Sequence, residues 1–189
     1  DFTRKDVMRQ FSIPKGRTFL CHNGCSNSFQ PISEKEKINI QKKYSDGCDY
    51  FLFVGAIHPR KNVTKLIKAY ELYKSKTNSR TKLLIVGRWA WKYGTTKRTI
   101  GNSEYQREIA VLNNVKNVEP LMAAAKCLCY VTLFEGFGIP ILEAFHCEVP
   151  VITSNTSSMP EVAGEAALLV DPTNVEAIAQ AMLKIHSDK

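Results

Sequence analysis

Two near-continuous apolar runs, each closed by a glycine, constrain this chain more than any other feature: Tyr50-Phe51-Leu52-Phe53-Val54-Gly55 and Lys82-Leu83-Leu84-Ile85-Val86-Gly87. Runs of this length without polar alternation suit strands buried on both faces. Similar strands are expected over Cys127–Leu133, Val149–Thr153 and Ala167–Val170. Helical patterns fall between them. Asn62 opens one carrying Val63, Leu66, Ile67, Tyr70, Leu72 and Tyr73; others begin at Ile139 and span Met159–Ala163 and Val175–Ile185. Strands alternating with helices imply βαβ units. The expected fold is therefore α/β, a Rossmann-like parallel sheet with helices on both faces. Ligands of such sheets bind outside the carboxyl ends of the strands. Gly55, Gly87, Glu135-Gly136 and Ser154 each follow a strand and should line that rim.

The remaining segments read less clearly. Residues 1–30 are expected to form a segment entering the domain, and residues 31–189 the domain itself. A helix starting at Thr3, three residues before Asp6, carries Val7, Met8 and Phe11 and is ended by Pro14, and Thr18–Cys21 reads as a short strand. Phe29-Gln30-Pro31 is a turn, followed by a lysine-rich polar helix over Ser33–Lys43. Arg88–Asn102 lacks apolar periodicity and reads as a loop, and Tyr105–Leu112 as a helix. Asn117-Val118 resembles an edge strand, yet Glu119-Pro120-Leu121 follows at once and Ala123–Ala125 is already helical. That crowding suggests residues absent between about Val118 and Pro120.

The chain has 189 residues and a formal charge of +8, enough for one domain with a real core. No apolar run approaches the roughly 20 residues of a membrane span, and no signal-peptide pattern is present. The chain begins with Asp1 rather than methionine, which points to a piece of a longer protein. Basic residues are dense at Lys61, Lys65 and Lys68 and again over Arg88–Arg98. They make either a solvated basic surface or an attraction to anions such as nucleotide diphosphates or an anionic membrane face. Nucleic acid is not expected as a partner, because no recognition motif accompanies the charge. Six cysteines lack a second Cys/His pair at metal spacing, so free thiols are expected. Cys127 and Cys129 would share one strand face.

The chemistry concentrates in Glu135-Gly136-Phe137-Gly138-Ile139-Pro140-Ile141-Leu142-Glu143. Glycines let a backbone approach a ligand, a helix start favours an anion, and Pro140 fits the first helical turn. Glu135 and Glu143, with seven residues between them, flank the loop and could reach one ligand from two sides. Carboxylates suit sugar hydroxyls. Two acids beside a pyrophosphate need compensating cations, and Arg60-Lys61 is the natural source. A structural reading stays open: Glu143 pairing with a lysine and Glu135 capping a neighbouring loop.

This spacing resembles the E-x7-E signature of family 4 of the retaining glycosyltransferases, which have the GT-B fold. Glu135–Pro172 is close to that family's pattern, Val54–Asn62 is similar to its first phosphate-side loop, and Asn23-Gly24 with Phe29-Gln30-Pro31 resembles its entry segment. The resemblance implies the C-terminal, donor-binding half of a GT-B enzyme. It needs no metal or cofactor; a nucleotide-diphosphate sugar is the donor substrate. Glu143 would hold the ribose hydroxyls and Glu135 would lie beside the transferred sugar. The amides of Phe137, Gly138 and Ile139 would meet the sugar and diphosphate. Lys61, with Arg60, would neutralise the diphosphate as it leaves, and Gly55, Gly136 and Gly87 would lie near the donor. The implied partners are a saccharide or lipid-linked saccharide acceptor and the N-terminal domain of the same enzyme. The implied setting is cytoplasmic, with peripheral contact at the inner membrane face. The sequence departs from the family at Ala56, where an arginine is common, and at Glu148, where a glycine is usual. Two alternatives stand beside this reading: a sugar-nucleotide epimerase or phosphorylase of the same fold, and a non-catalytic nucleotide-binding module. A dinucleotide-binding domain is disfavoured, because no G-x-G-x-x-G follows Val54. Gly138→Val is expected to block phosphate approach with the fold largely intact.

Overall fold

The computed structural model describes residues 1–188. In chain order the helices are α1 (Phe2–Phe11), α2 (Glu34–Ser45), α3 (Val63–Ser75), α4 (Gly94–Gly101), α5 (Glu119–Ala123), α6 (Ile139–His146), α7 (Met159–Ala163) and α8 (Val175–Ser187). The strands are β1 (Tyr50–Val54), β2 (Lys82–Val86), β3 (Ile109–Leu112), β4 (Cys127–Tyr130), β5 (Val151–Ser154) and β6 (Leu168–Val170). They form one all-parallel sheet in the order β3-β2-β1-β4-β5-β6. The chain therefore starts in the middle of the sheet, builds outward one way, then returns and builds outward the other way. Right-handed crossovers put the helices of the two halves on opposite faces. Accordingly α3 packs with α4 and α8, while α2, α5, α6 and α7 pack with one another. The reversal makes a crevice between the carboxyl ends of β1 and β4, where sheets of this type hold ligands.

The core explains why β1 and β2 read so plainly. Tyr50, Phe51, Leu52 and Phe53 are wholly buried, as are Leu83, Leu84 and Ile85. The Phe51 ring meets Tyr73 of α3 edge-on at 5.1 Å. Buried tyrosine hydroxyls must find acceptors: Tyr50 donates to Leu121 O at 2.7 Å and Tyr70 to Thr81 O at 2.9 Å. Burial pushes both phenols well above their ordinary range. Helix α2 begins with a capping box, in which Ser33 and Glu36 exchange hydrogen bonds. The six cysteines are free, and Cys127, Cys129 and Cys147 are buried.

Four expectations are corrected. Thr18–Cys21 forms no strand; Thr18 is extended, but Phe19 is 90% exposed and pairs with no neighbour. Arg88–Asn102 contains α4, a helix of threonines and glycines whose inward Thr96 bonds Thr64 of α3, Oγ1 to Oγ1, at 2.8 Å. Too few apolar residues face inward there to leave a periodic trace. Tyr105–Leu112 is not a helix but a turn followed by edge strand β3, which pairs with β2 from Leu83↔Ile109 to Val86↔Leu112. Tyr105, Ile109 and Leu112 mimic helical spacing by coincidence. Asn117-Val118 is loop, and Met122 N donates to Val118 O at 2.9 Å as α5 starts. With the edge strand placed earlier, the junction is not crowded and nothing there calls for absent residues. Smaller shifts occur at element ends: α1 starts at Phe2, β4 stops at Tyr130 and β5 starts at Val151.

Glu148 adopts φ 57, a conformation glycine takes without steric cost. The glycine usual at this position in the family the sequence resembles thus has a backbone reason. Glu148→Gly is expected to raise stability by about 0.5–1 kcal/mol, read as a higher unfolding midpoint in denaturant.

Candidate active site

Strands β1 and β2 bring their closing glycines side by side. Gly55 has φ 143 and Gly87 φ 156, and Gly55 N donates to Val86 O at 2.9 Å. A Cβ on Gly87 would lie 1.9 Å from Gly55 O. Gly87 therefore serves first to let two rim loops touch. A Cβ on Gly55 would meet Lys61 Nζ at 3.5 Å, so this glycine borders the lysine's path.

After Gly55 the chain forms a single 3₁₀ turn, Pro59–Lys61, which presents Arg60 and Lys61. Asn62 closes it at φ 59, and its Nδ2 donates to Val131 O at 2.9 Å and Pro172 O at 2.7 Å. One buried amide thus ties the cation turn to the loops after β4 and β6. Lys61 Nζ donates to Tyr130 Oη at 2.6 Å and lies 2.9 Å from Glu135 Oε1. Arg60 Nη1 lies 2.9 Å from the same oxygen and also donates to Phe134 O. The side chains of Lys61 and Glu135 are each 12% exposed. Arg60, Lys61 and Glu135 therefore meet at the β1–β4 crevice with a local balance of one positive charge.

The Glu135 loop is held from below. Ser157 Oγ accepts from Glu135 N at 2.9 Å and donates to Glu135 O at 2.6 Å. Ser158 Oγ lies 2.9 Å from Glu135 O and 2.8 Å from Phe137 O. Gly138, at φ 112, forms the N-cap of α6; Pro140 lacks an N–H, and Ile141 N donates to Gly138 O at 3.0 Å. A Cβ on Gly138 would lie 2.9 Å from Met159 Cε. This corrects the expected effect of Gly138→Val: the substitution strains the backbone and the packing of α7, so it cannot isolate phosphate approach. Gly136 O accepts from Thr3 Oγ1 at 2.6 Å, and a cavity of about 420 Å³ opens there between α1, His22-Asn23 and the Gly136-Phe137 loop.

Glu143 sits one turn into α6, half-buried, and forms no ion pair among the described residues. The lysine pairing kept open for it is not seen. Burial raises its pKa, and the nearby Glu119 carboxylate adds to the rise. Burial, then Glu135 and more weakly Glu143, push the Tyr130 phenol up. The Ile139 side chain is exposed at the start of α6.

A family profile described as "Glycosyl transferases group 1" matches residues 34–189. The chain belongs to that family. O-antigen chain mannosyltransferase B of Escherichia coli is 35% identical over 191 residues, covering 100% of this chain and 50% of the relative. Among solved structures, a glycosyltransferase from Rickettsia africae superposes with a TM-score of 0.87 at 20% identity, covering 98% of this chain and 51% of that one. Anabaena HepE, in complex with UDP and glucose, also reaches 0.87 at 17% identity, covering 97% of this chain and 51% of that one. The chain spans about half the length of each of these proteins.

Several residues around the crevice left little signal in the sequence: Tyr130, Asn62 as a tie, Ser158, Glu119 and the His58–Trp91 pair. Tyr130 left one trace, a hydroxyl at the end of a buried apolar run.

Proposed function

We propose that this chain is the donor-binding domain of a retaining, family 4 glycosyltransferase, which moves a sugar from a nucleotide-diphosphate sugar to a saccharide or lipid-linked acceptor in surface-polysaccharide synthesis. One observation carries the reading: two cations and Glu135, drawn from separate stretches, converge at the switch point of the sheet beside the α6 N-terminus. The Escherichia coli mannosyltransferase relative favours mannose as the sugar. HepE, which has the same fold and whose complex holds UDP and glucose, supports a nucleoside diphosphate as ligand.

The chemistry follows from charge. As the glycosidic C–O bond of the donor breaks, the electron pair leaves with the diphosphate. Lys61 and Arg60 stand where that negative charge grows, and the helix N-terminus adds oriented N–H dipoles. No metal is required for this neutralisation. Glu135 keeps both cations in place before the donor binds and lies beside the transferred sugar. Phe137, Gly138 and Ile139 contribute backbone amides, Gly55 and Gly136 leave room for the donor, and Glu143 accepts from the ribose hydroxyls. An N-terminal domain supplies the acceptor side. Among the described residues no helix is long and apolar enough to cross a membrane. A cytoplasmic enzyme touching the inner membrane face through its basic surface fits a lipid-linked acceptor.

Glu143→Ala is expected to weaken GDP or UDP binding by about 1.5–3 kcal/mol, the value of charge-assisted hydrogen bonds. Unchanged affinity removes the ribose role. The pH dependence has two signs. A carboxyl raised in the folded chain adds stability at low pH, and this is lost as pH rises from the unfolded value through the folded one. Nucleotide binding needs the carboxylate, so affinity should grow with pH through the same elevated value. Glu119→Gln should move that midpoint down, and a calorimetric pH series checks it. Titration with GDP, UDP and ADP, followed by a donor screen on the full-length enzyme, tests the whole reading; binding without transfer or donor hydrolysis would favour the non-catalytic module.

A further inference from the structure

Pairing between β1 and β2 resumes beyond their closing glycines. Ile57 N donates to Arg88 O at 2.9 Å, Ala90 N donates to Ile57 O at 3.1 Å, and Ile57 is wholly buried. The two rim loops therefore run together for several residues past the sheet. At the end of this ladder the rings of His58 and Trp91 stack, with centroids 4.4 Å apart and planes 8° from parallel. His58 is 8% exposed, whereas Trp91 is 50% exposed. A large aromatic ring left half in water is held here by one face, and that face lies on the histidine. His58 is also the N-cap of the turn that carries the two cations, and its carbonyl accepts from Lys61 N at 3.0 Å. Asn62 N closes the same turn on Pro59 O at 3.0 Å.

We propose that Trp91 is a positioning residue for the diphosphate grip: by stacking on His58 it braces the Pro59–Lys61 turn from the β2 side, as Asn62 does from the β4 side. The functional half of this statement rests on the donor-site reading above; the brace itself does not. The turn has only three residues, so few contacts within it define the direction of Lys61. Its two flanking residues do so instead. The His58 ring is kept parallel to the Trp91 ring by the stack, and Asn62 is anchored to two loops. The stack also explains why a histidine sits beside two cations. Burial, then Arg60 and Lys61, lower its pKa, and Glu135 on the loop after β4 offsets this only in part. His58 thus favours its neutral form as a flat ring over Trp91.

The test needs no nucleotide for its first arm. In Trp91→Ala, amide hydrogen exchange at Lys61 and Asn62 is expected to accelerate at least about tenfold while Ile85 in β2 keeps its protection. Trp91→Phe should restore wild-type rates within about twofold. Unchanged exchange at Lys61 and Asn62, or faster exchange spread evenly over β1 and β2, overturns the brace. In a Trp89→Phe background, Trp91 fluorescence should fall on acidification as His58 protonates, with a midpoint below the ordinary histidine value. Persistence of that transition in His58→Gln would also overturn it. In the second arm, GDP and UDP affinity should drop about tenfold in Trp91→Ala and recover in Trp91→Phe. Faster exchange with unchanged nucleotide affinity would refute the positioning role. A wild-type chain that binds neither nucleotide would count against the donor site, with the exchange data still deciding the brace.

Discussion

Lys61→Ala is expected to weaken nucleoside-diphosphate binding on the order of 30- to 300-fold, about 2–3.5 kcal/mol, and Glu135→Gln to strengthen it several-fold. The opposite signs follow from the geometry. Lys61 Nζ lies 2.9 Å from Glu135 Oε1, both side chains are nearly buried, and Tyr130 Oη accepts from the same ammonium at 2.6 Å. An arriving diphosphate competes with Glu135 for Lys61 and Arg60. Removing the lysine deletes the cation best shielded from water, where Coulomb interactions are strongest. Neutralising Glu135 removes a repelling charge and frees both cations. Under the proposed function, transfer should still fall in both variants of the full-length enzyme, since that reading puts Glu135 beside the transferred sugar and Lys61 at the leaving group. Stability should also divide. Lys61→Ala leaves a buried carboxylate that keeps Arg60 as its ion pair, so the loss should stay below the about 3–5 kcal/mol of a buried charge left with no partner. Calorimetric titration with GDP and UDP, with thermal unfolding of each variant, measures all of this. Wild-type affinity in Lys61→Ala would remove the lysine from the phosphate grip. Weaker binding in Glu135→Gln would mean that the carboxylate contacts the nucleotide rather than opposing it.

Gly87→Ala is expected to destabilise the chain by about 4 kcal/mol or more, among the largest effects single substitutions produce. The added Cβ would lie 1.9 Å from Gly55 O and 2.6 Å from Gly55 C. Both are backbone atoms of the neighbouring rim loop, so no side chain can swing aside. At φ 156 the alanine would also be strained. Relief requires β1 and β2 to part at their carboxyl ends, breaking the bonds from Gly55 N to Val86 O and from Ile57 N to Arg88 O. The same motion would tilt the Arg60–Lys61 turn. Denaturant unfolding should show a lower midpoint, and whatever folds should bind nucleotide poorly. A fully stable variant would show that the two loops have room to separate. By contrast Gly136 has open surroundings, with Thr3 Oγ1 at 3.8 Å as the near neighbour of an added Cβ. Gly136→Ala should therefore be structurally mild.

Legibility differed from element to element. Strands β1 and β2 were plain because burial on both faces leaves an unbroken apolar run. Helices α3 and α8 were plain because each buries a regular stripe, such as Leu66, Ile67, Tyr70 and Tyr73 in α3. Helix α4 and strand β3 lie at the margin of the sheet, where little is buried and patterning is weak. There Gly94–Gly101 passed for a loop and Ile109–Leu112 for a helix. Residues 18–21 carry a strand's composition, yet composition cannot supply the neighbouring strand that pairing requires.

By itself the sequence determined the alternation of buried strands with amphipathic helices, and hence a parallel sheet whose loops meet at one rim. It also determined the glycine loop flanked by Glu135 and Glu143, because those residues are close along the chain. The tertiary structure alone decided the strand order, and with it the crevice between β1 and β4. It placed Lys61 on Glu135 and Tyr130, bound Asn62 to Val131 and Pro172, and stacked Trp91 on His58. Local spacing encodes contacts only within one element, where a helix or strand repeats at a known period. The partners in this site are separated by whole βαβ units. Their meeting depends on how the sheet is ordered, a property of the packed chain rather than of any stretch of it.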